Sequence, residues 1–184
     1  MFKVLIIFLI LNFYNQAQAS IKDQIILKLE KTNNLSFYFK QTIDEKNENG
    51  NCIIKYPKKI YCKYNNINKK IIVSNGKSLI IKNRNSGISY LYPLSKTPLE
   101  FLLDKNYLIS KIENLEFRDI NNKYINFTIL ENNNEINIFF DKKKFNLIGW
   151  QIQDIYQNLT ITYISSIKTN QKIDEKKFIL PKKD

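Results

Sequence analysis

Apolar and polar residues alternate along most of this chain in short runs separated by polar turns. Leu35, Phe37 and Phe39 fall on one side of a run ending at Gln41, the period of two that marks a half-buried strand. Residues 51–64 hold two apolar runs around Pro57-Lys58-Lys59, which predicts a hairpin. Ile71–Val73 and Leu79–Ile81 flank Asn75-Gly76, a dipeptide that tolerates positive φ at both positions and suits a tight turn. A polar turn at residues 83–87 then leads to a strand over residues 88–92. Further runs follow at residues 115–120, 123–130, 136–140, 147–154 and 159–163. Turns this regular predict an antiparallel meander curled into a sandwich or barrel.

Two segments depart from that period. From Ser20 to Lys31, Ile21, Ile25, Ile26 and Leu29 share one helical face, with Ser20 as a cap and Asp23 three residues on. From Thr97 to Leu103, Thr97 stands at a cap, Pro98 at a first helical position and Glu100 where it can reach back. Leu99, Leu102 and Leu103 give this short helix an apolar face. Such a helix seals a core or covers a cavity. The chain after it reads as β to its end.

The first residues change the compartment. Lys3, the apolar run from Val4 to Phe13, and Ala17-Gln18-Ala19 form a secretory leader with a small-x-small cleavage site. The run is shorter than the ~20 residues that span a bilayer. Residues 1–19 are therefore expected to be removed, leaving 20–184 as one exported domain. No cysteine follows the cleavage site, so no lipid anchor is expected. The chain carries 29 Lys and Arg against 17 Asp and Glu, a net charge of +12, with no histidine. The lysines are scattered through strands and turns, which fits a solvated surface with weak attraction to anionic membranes better than a nucleic-acid site. Lack of histidine removes the usual general base, the common nucleophile systems and His-based metal sites. The acidic residues fall mostly in turns. No enzyme, metal or cofactor is expected.

Cys52 and Cys62 are the two cysteines of the chain. An odd-numbered connection in the Pro57 hairpin places them face to face, with Ile54 facing Ile60, whereas an even one throws them to opposite faces. Export permits a disulfide, which is expected here; the alternative is two buried thiols.

The order of these motifs resembles the periplasmic outer-membrane lipoprotein carrier family, LolA. The carrying segments are Ser36-Phe37-Tyr38-Phe39-Lys40-Gln41, Ile72-Val73-Ser74-Asn75-Gly76-Lys77, Thr97-Pro98-Leu99, Leu147–Asp154 with Trp150, and Lys176–Pro181. The resemblance implies a mainly β fold, a half-open antiparallel β-barrel around a hydrophobic cavity covered by short helices. It also implies a role. Members shield the acyl chains of lipoproteins released by an inner-membrane ABC transporter and deliver them to the outer membrane, to an acceptor where one exists. A monomer that binds no nucleic acid is expected. The alternative is a periplasmic lipid- or lipoprotein-sensing regulator, or an outer-membrane acceptor, of the same half-barrel fold. The absent lipobox cysteine disfavours an acceptor, and regulators of this kind usually carry a further domain.

Candidate cavity residues are the inward apolar positions. On the first strands these are Phe37, Phe39, Ile54, Leu79, Ile81, Tyr90 and Tyr92; on the helix, Leu99 and Leu102; on the later strands, Phe127, Ile129, Ile138, Phe140, Trp150 and Ile152. Ordinary core is the competing assignment for each. Thr97, Pro98 and Leu103 complete the expected lid. Family members commonly have an arginine before the proline of the hairpin and a tryptophan where Cys62 stands. The arginine helps to fasten the lid; here Tyr56 precedes Pro57, so its hydroxyl is the candidate fastener.

Overall fold

Eleven strands in one antiparallel sheet make up most of the computed structural model, which describes residues 20–132, 134–154 and 157–181. The expected leader, residues 1–19, lies outside the described residues. The first meander comprises β1 (Asn34–Ile43), β2 (Lys46–Lys55), β3 (Lys59–Tyr64), β4 (Lys70–Asn75), β5 (Ser78–Asn83) and β6 (Ser89–Pro93). The second comprises β7 (Arg118–Ile120), β8 (Tyr124–Glu131), β9 (Asn134–Asp141), β10 (Leu147–Gln153) and β11 (Leu159–Thr169). β1 joins the two by pairing with β2 on one side and β11 on the other. β6 and β7 are the edges and do not meet, so the sheet curls into a half-open barrel.

Curling needs places where backbones approach closely. Gly50 is one: a Cβ there would lie 2.1 Å from the Lys63 carbonyl oxygen and 2.8 Å from the Phe39 ring. A register shift between Ser36 and Tyr38, where β1 meets β11, adds a local bend.

One connection works differently from the sequence expectation, and one takes the odd-numbered form of the two that the sequence leaves open. In the β4–β5 turn only Gly76 takes a positive φ, +100°. Asn75 acts through its side-chain oxygen, which accepts from the Lys77 and Ser78 N–H groups at 3.0 Å each. The three-residue link Tyr56–Lys58 sets Cys52 opposite Cys62 and Ile54 opposite Ile60, and the two cysteines form a disulfide.

Helices fill one end. α1 (Ile21–Glu30) begins at a capping box, with Ser20 Oγ accepting from the Asp23 N–H at 3.1 Å and the Asp23 carboxylate accepting from the Ser20 N–H at 3.0 Å. After β6 come a 3₁₀ turn (Leu94–Lys96), α2 (Leu99–Leu102) and α3 (Lys105–Asn114). The strand-like reading of the chain after Leu103 is corrected by α3. Asp104 caps it by accepting from the Tyr107 N–H at 3.2 Å, and Leu108 and Ile112, four apart, are fully buried. Thr97 does not cap α2: its hydroxyl donates back to the Leu94 carbonyl at 2.9 Å.

The barrel halves differ in filling. Ile25, Leu29, Leu108 and Ile112 of the helices join Phe127, Ile129, Ile138 and Phe140 of β8 and β9 in one continuous buried cluster. Tyr107 donates to Glu131 at 2.7 Å and Lys111 pairs with the same carboxylate at 2.8 Å, fixing α3 to β8. On the outer face of the first meander, Ile71, Val73 and Ile80 are covered by Leu180 and Tyr61. Glu175 in the last 3₁₀ turn (Glu175–Phe178) holds that covering segment by pairing with Lys55 and Lys59.

Candidate functional site

The inner face of the first meander surrounds a cavity of about 310 Å³. This lies at the small end of the ~300–1,000 Å³ usual for ligand sites. Alternation decides its lining. Ile72 points inward between Ile71 and Val73, which face out; Leu79 and Ile81 point inward on either side of Ile80. Phe39, Ile60, Cys62 and Tyr64 extend the wall across β1 and β3. Trp150 and Ile152 of β10 close the far side, and Thr97, Pro98 and Leu99 supply the helical side. Ile88 and Tyr90 line the cavity while remaining 52% and 49% exposed, so it opens to solvent beside β6.

Polar groups gather towards one end of this wall. Tyr64 donates to Gln41 Oε1 at 2.9 Å, and Gln41 Nε2 donates to Thr162 Oγ1 at 2.9 Å. Burial, and secondarily the Glu48 charge, raise the Tyr64 phenol above its ordinary range, so it stays a neutral donor. Lys70 pairs with Glu48 and sits 3.9 Å above the Tyr64 ring. Thr160 Oγ1, on the cavity wall, is buried without a hydrogen-bond partner. Among the described residues no group of His, Cys, Asp and Glu is placed to hold a metal ion. The arrangement offers apolar contact with a few hydrogen-bonding groups.

Seven expected cavity residues line the cavity: Phe39, Leu79, Ile81, Tyr90, Leu99, Trp150 and Ile152. Eight do not. Phe127, Ile129, Ile138 and Phe140 belong to the packed cluster with α1 and α3. Phe37, Ile54 and Leu102 are core, and Tyr92, opposite Leu79, lies outside the lining. The reason is the helices, which fill the second half of the barrel and leave the first hollow. Leu103 is likewise corrected from lid to core, being fully buried. Sequence reasoning misses Cys52, Ile60, Cys62 and Ile72 as lining residues, although their two-residue offset from other inward positions marks them. Thr160 and Thr162 give no such cue, because on β11 the apolar Leu159 and Tyr163 face solvent and the threonines face in.

The fastener is not Tyr56. Its hydroxyl is buried without a partner, and burial raises its pKa. Lys58, on the far side of Pro57, makes the connection instead. Its Nζ lies 2.9 Å from Glu100 of α2 and 3.5 Å from Asp104. Its N–H donates to the Leu103 carbonyl at 2.7 Å, and its own carbonyl accepts from Ser74 Oγ at 2.9 Å. The Lys58 pKa is raised, chiefly by the hydrogen bond to Glu100. A raised pKa contributes stability that is fully present below the ordinary value of 10.5 and is lost as pH rises through the folded value. Lys58→Met should therefore be less stable than wild type at neutral pH, and the gap should close in strongly alkaline buffer. Urea midpoints of both proteins across that range measure it; a constant gap would show that the ion pairs are not its source.

Among the described residues no helix is long and apolar enough to cross a membrane. Comparison with curated protein sequences gives no match. Among solved structures, an uncharacterized conserved protein from Thermus thermophilus superposes with a TM-score of 0.52 at 7% identity, covering 86% of this chain and 94% of that one. A chain of the Pseudomonas aeruginosa MucA/MucB complex superposes with a TM-score of 0.50 at 10% identity, covering 89% and 62%. A LolA superfamily protein from Nitrosomonas europaea gives 0.45 at 8% identity, covering 88% and 99%. These likenesses concern the fold. The model of the family described as outer membrane lipoprotein carrier protein LolA matches residues 30–180, from the end of α1 through the covering C-terminal segment. With that span matched, the half-open barrel and its cavity have a family: the chain belongs to the LolA family.

Proposed function

We propose that residues 20–184 act in the periplasm as a carrier that shields the acyl chains of lipoproteins between the inner and outer membranes. The observation that carries this reading is the unequal filling of one sheet: packed under α1 and α3, hollow and apolar under β1–β6. Each methylene moved from water into an apolar phase gains about 0.8 kcal/mol, so a lipidated protein needs such a phase to cross water. Directional transfer needs one that holds the chain less tightly than the next acceptor. In this reading an inner-membrane ABC transporter loads the cavity, an outer-membrane acceptor or the membrane itself empties it, and the protein acts by binding without catalysis.

Binding of a fluorescent fatty-acyl probe tests the proposal. Wild-type protein should bind it. Ile72→Trp, which pushes a large ring into the cavity from β4, should weaken binding at least tenfold. Its stability should change by only about 1 kcal/mol, since the ring enters empty space and not a packed core. Absence of probe binding to the wild type would overturn the carrier reading.

A further inference from the structure

The strand-end loops beside the cavity mouth hold an apolar tip that no core contact explains. Residues 65–69 connect β3 to β4, and Ile67 in this loop is 90% exposed. A single exposed isoleucine is ordinary; its setting is not. Asn85, in the β5–β6 turn, donates its side-chain N–H to the Ile67 carbonyl and its backbone N–H to the Asn68 carbonyl at 3.4 Å. Asn66 donates to Glu48 at 3.0 Å and accepts from the Lys70 N–H at 3.0 Å. The loop is braced from two sides with Ile67 held outward.

Cations surround that tip. Lys63, Lys69 and Arg84 line a shallow groove of about 490 Å³ formed by this loop and its neighbour. All three are exposed, and none has an ion-pair partner among the described residues. Glu48, which reaches the loop, is neutralised by Lys70. Lys70, Asn83 and Ile88, at the feet of the same two loops, line the cavity. An apolar tip, unpaired cations and the cavity entrance therefore share one end of the barrel.

We propose that Ile67, with Lys63, Lys69 and Arg84, docks the protein on an anionic lipid bilayer with the cavity mouth turned towards it. This deepens the carrier reading and rests on it: an acyl chain would pass between bilayer and cavity without crossing bulk water. Charge complementarity selects the occupant, because the cations meet anionic headgroups while the isoleucine enters the interfacial layer.

Co-sedimentation with vesicles tests it, using phosphatidylcholine alone and phosphatidylcholine mixed with phosphatidylglycerol. Wild-type protein should bind the mixed vesicles and hardly the neutral ones. Ile67→Ser should reduce binding about tenfold, and Lys69→Gln with Arg84→Gln about 25-fold, with the charge-dependent part fading at high salt. Both variants should take up the acyl probe in vesicle-free solution as the wild type does. Equal binding to both vesicle types, or wild-type binding by Ile67→Ser, would overturn the proposal. So would absence of vesicle binding, the result expected if the surface met an acidic protein. If probe uptake fails while Ile67-dependent vesicle binding persists, the carrier reading falls and the docking surface stands.

Discussion

Leu102→Ala is expected to lower the free energy of unfolding by about 2–5 kcal/mol, while Leu99→Ala, one helical turn earlier, costs only about 1 kcal/mol. Leu102 is fully buried in the main cluster beside Leu103, Leu108 and Ile112. Truncating it leaves a hole in close-packed surroundings, so the transfer and cavity contributions add. Leu99 is only partly buried and borders the cavity, so a methyl in its place enlarges a space that already exists. The acyl probe should respond in the opposite order, with Leu99→Ala changing uptake more than Leu102→Ala measured below its unfolding transition. Denaturant midpoints and probe titrations on the two variants give both orders. A Leu102→Ala loss near 1 kcal/mol would mean that α2 as a whole lies loosely on the barrel.

Loss of the Cys52–Cys62 disulfide is the second large effect. The bridge closes a short loop, its cysteines ten positions apart in sequence. The chain-entropy argument gives about 2–3 kcal/mol for a loop of this size, as an upper figure before any native-state strain. Replacing both cysteines by alanine should therefore shift the denaturation midpoint by a comparable amount. Both residues also border the cavity, so the same variant should change probe affinity. Thiol labelling of denatured, unreduced wild-type protein should find no reactive thiol; two labelled thiols would rule the bridge out.

The β runs were legible because period two survives wherever one face is buried. Phe37 and Phe39 on β1, or Ile136 and Ile138 on β9, announce their strand and its inward side. The facing of Cys52 and Cys62 was legible up to a single bit, the parity of the Pro57 connection, which Tyr56–Lys58 settles as odd. What sequence could not supply was volume. Phe127 on β8 and Leu79 on β5 have the same inward alternation and share one buried cluster, yet Leu79 also borders the cavity and Phe127 does not. That difference arises from where the helices lie, a long-range fact with no local signature. α3 itself was hidden among apolar residues that also suit strands, although Asp104 and the four-residue spacing of Leu108 and Ile112 were there to be read. The fastener was missed for a related reason. A lysine in a turn looks like solvation until Glu100 and Asp104 are folded against it.

Unequal filling also divides the molecule mechanically. Close-packed regions resist opening, whereas segments with few buried contacts fluctuate at lower free-energy cost. β8 and β9, with α1 and α3 locked against them, form the stiff part. β5 and β6 border open space and end at a free edge. Compliance is thus concentrated where a guest must enter, and opening there need not disturb the part that keeps the chain folded.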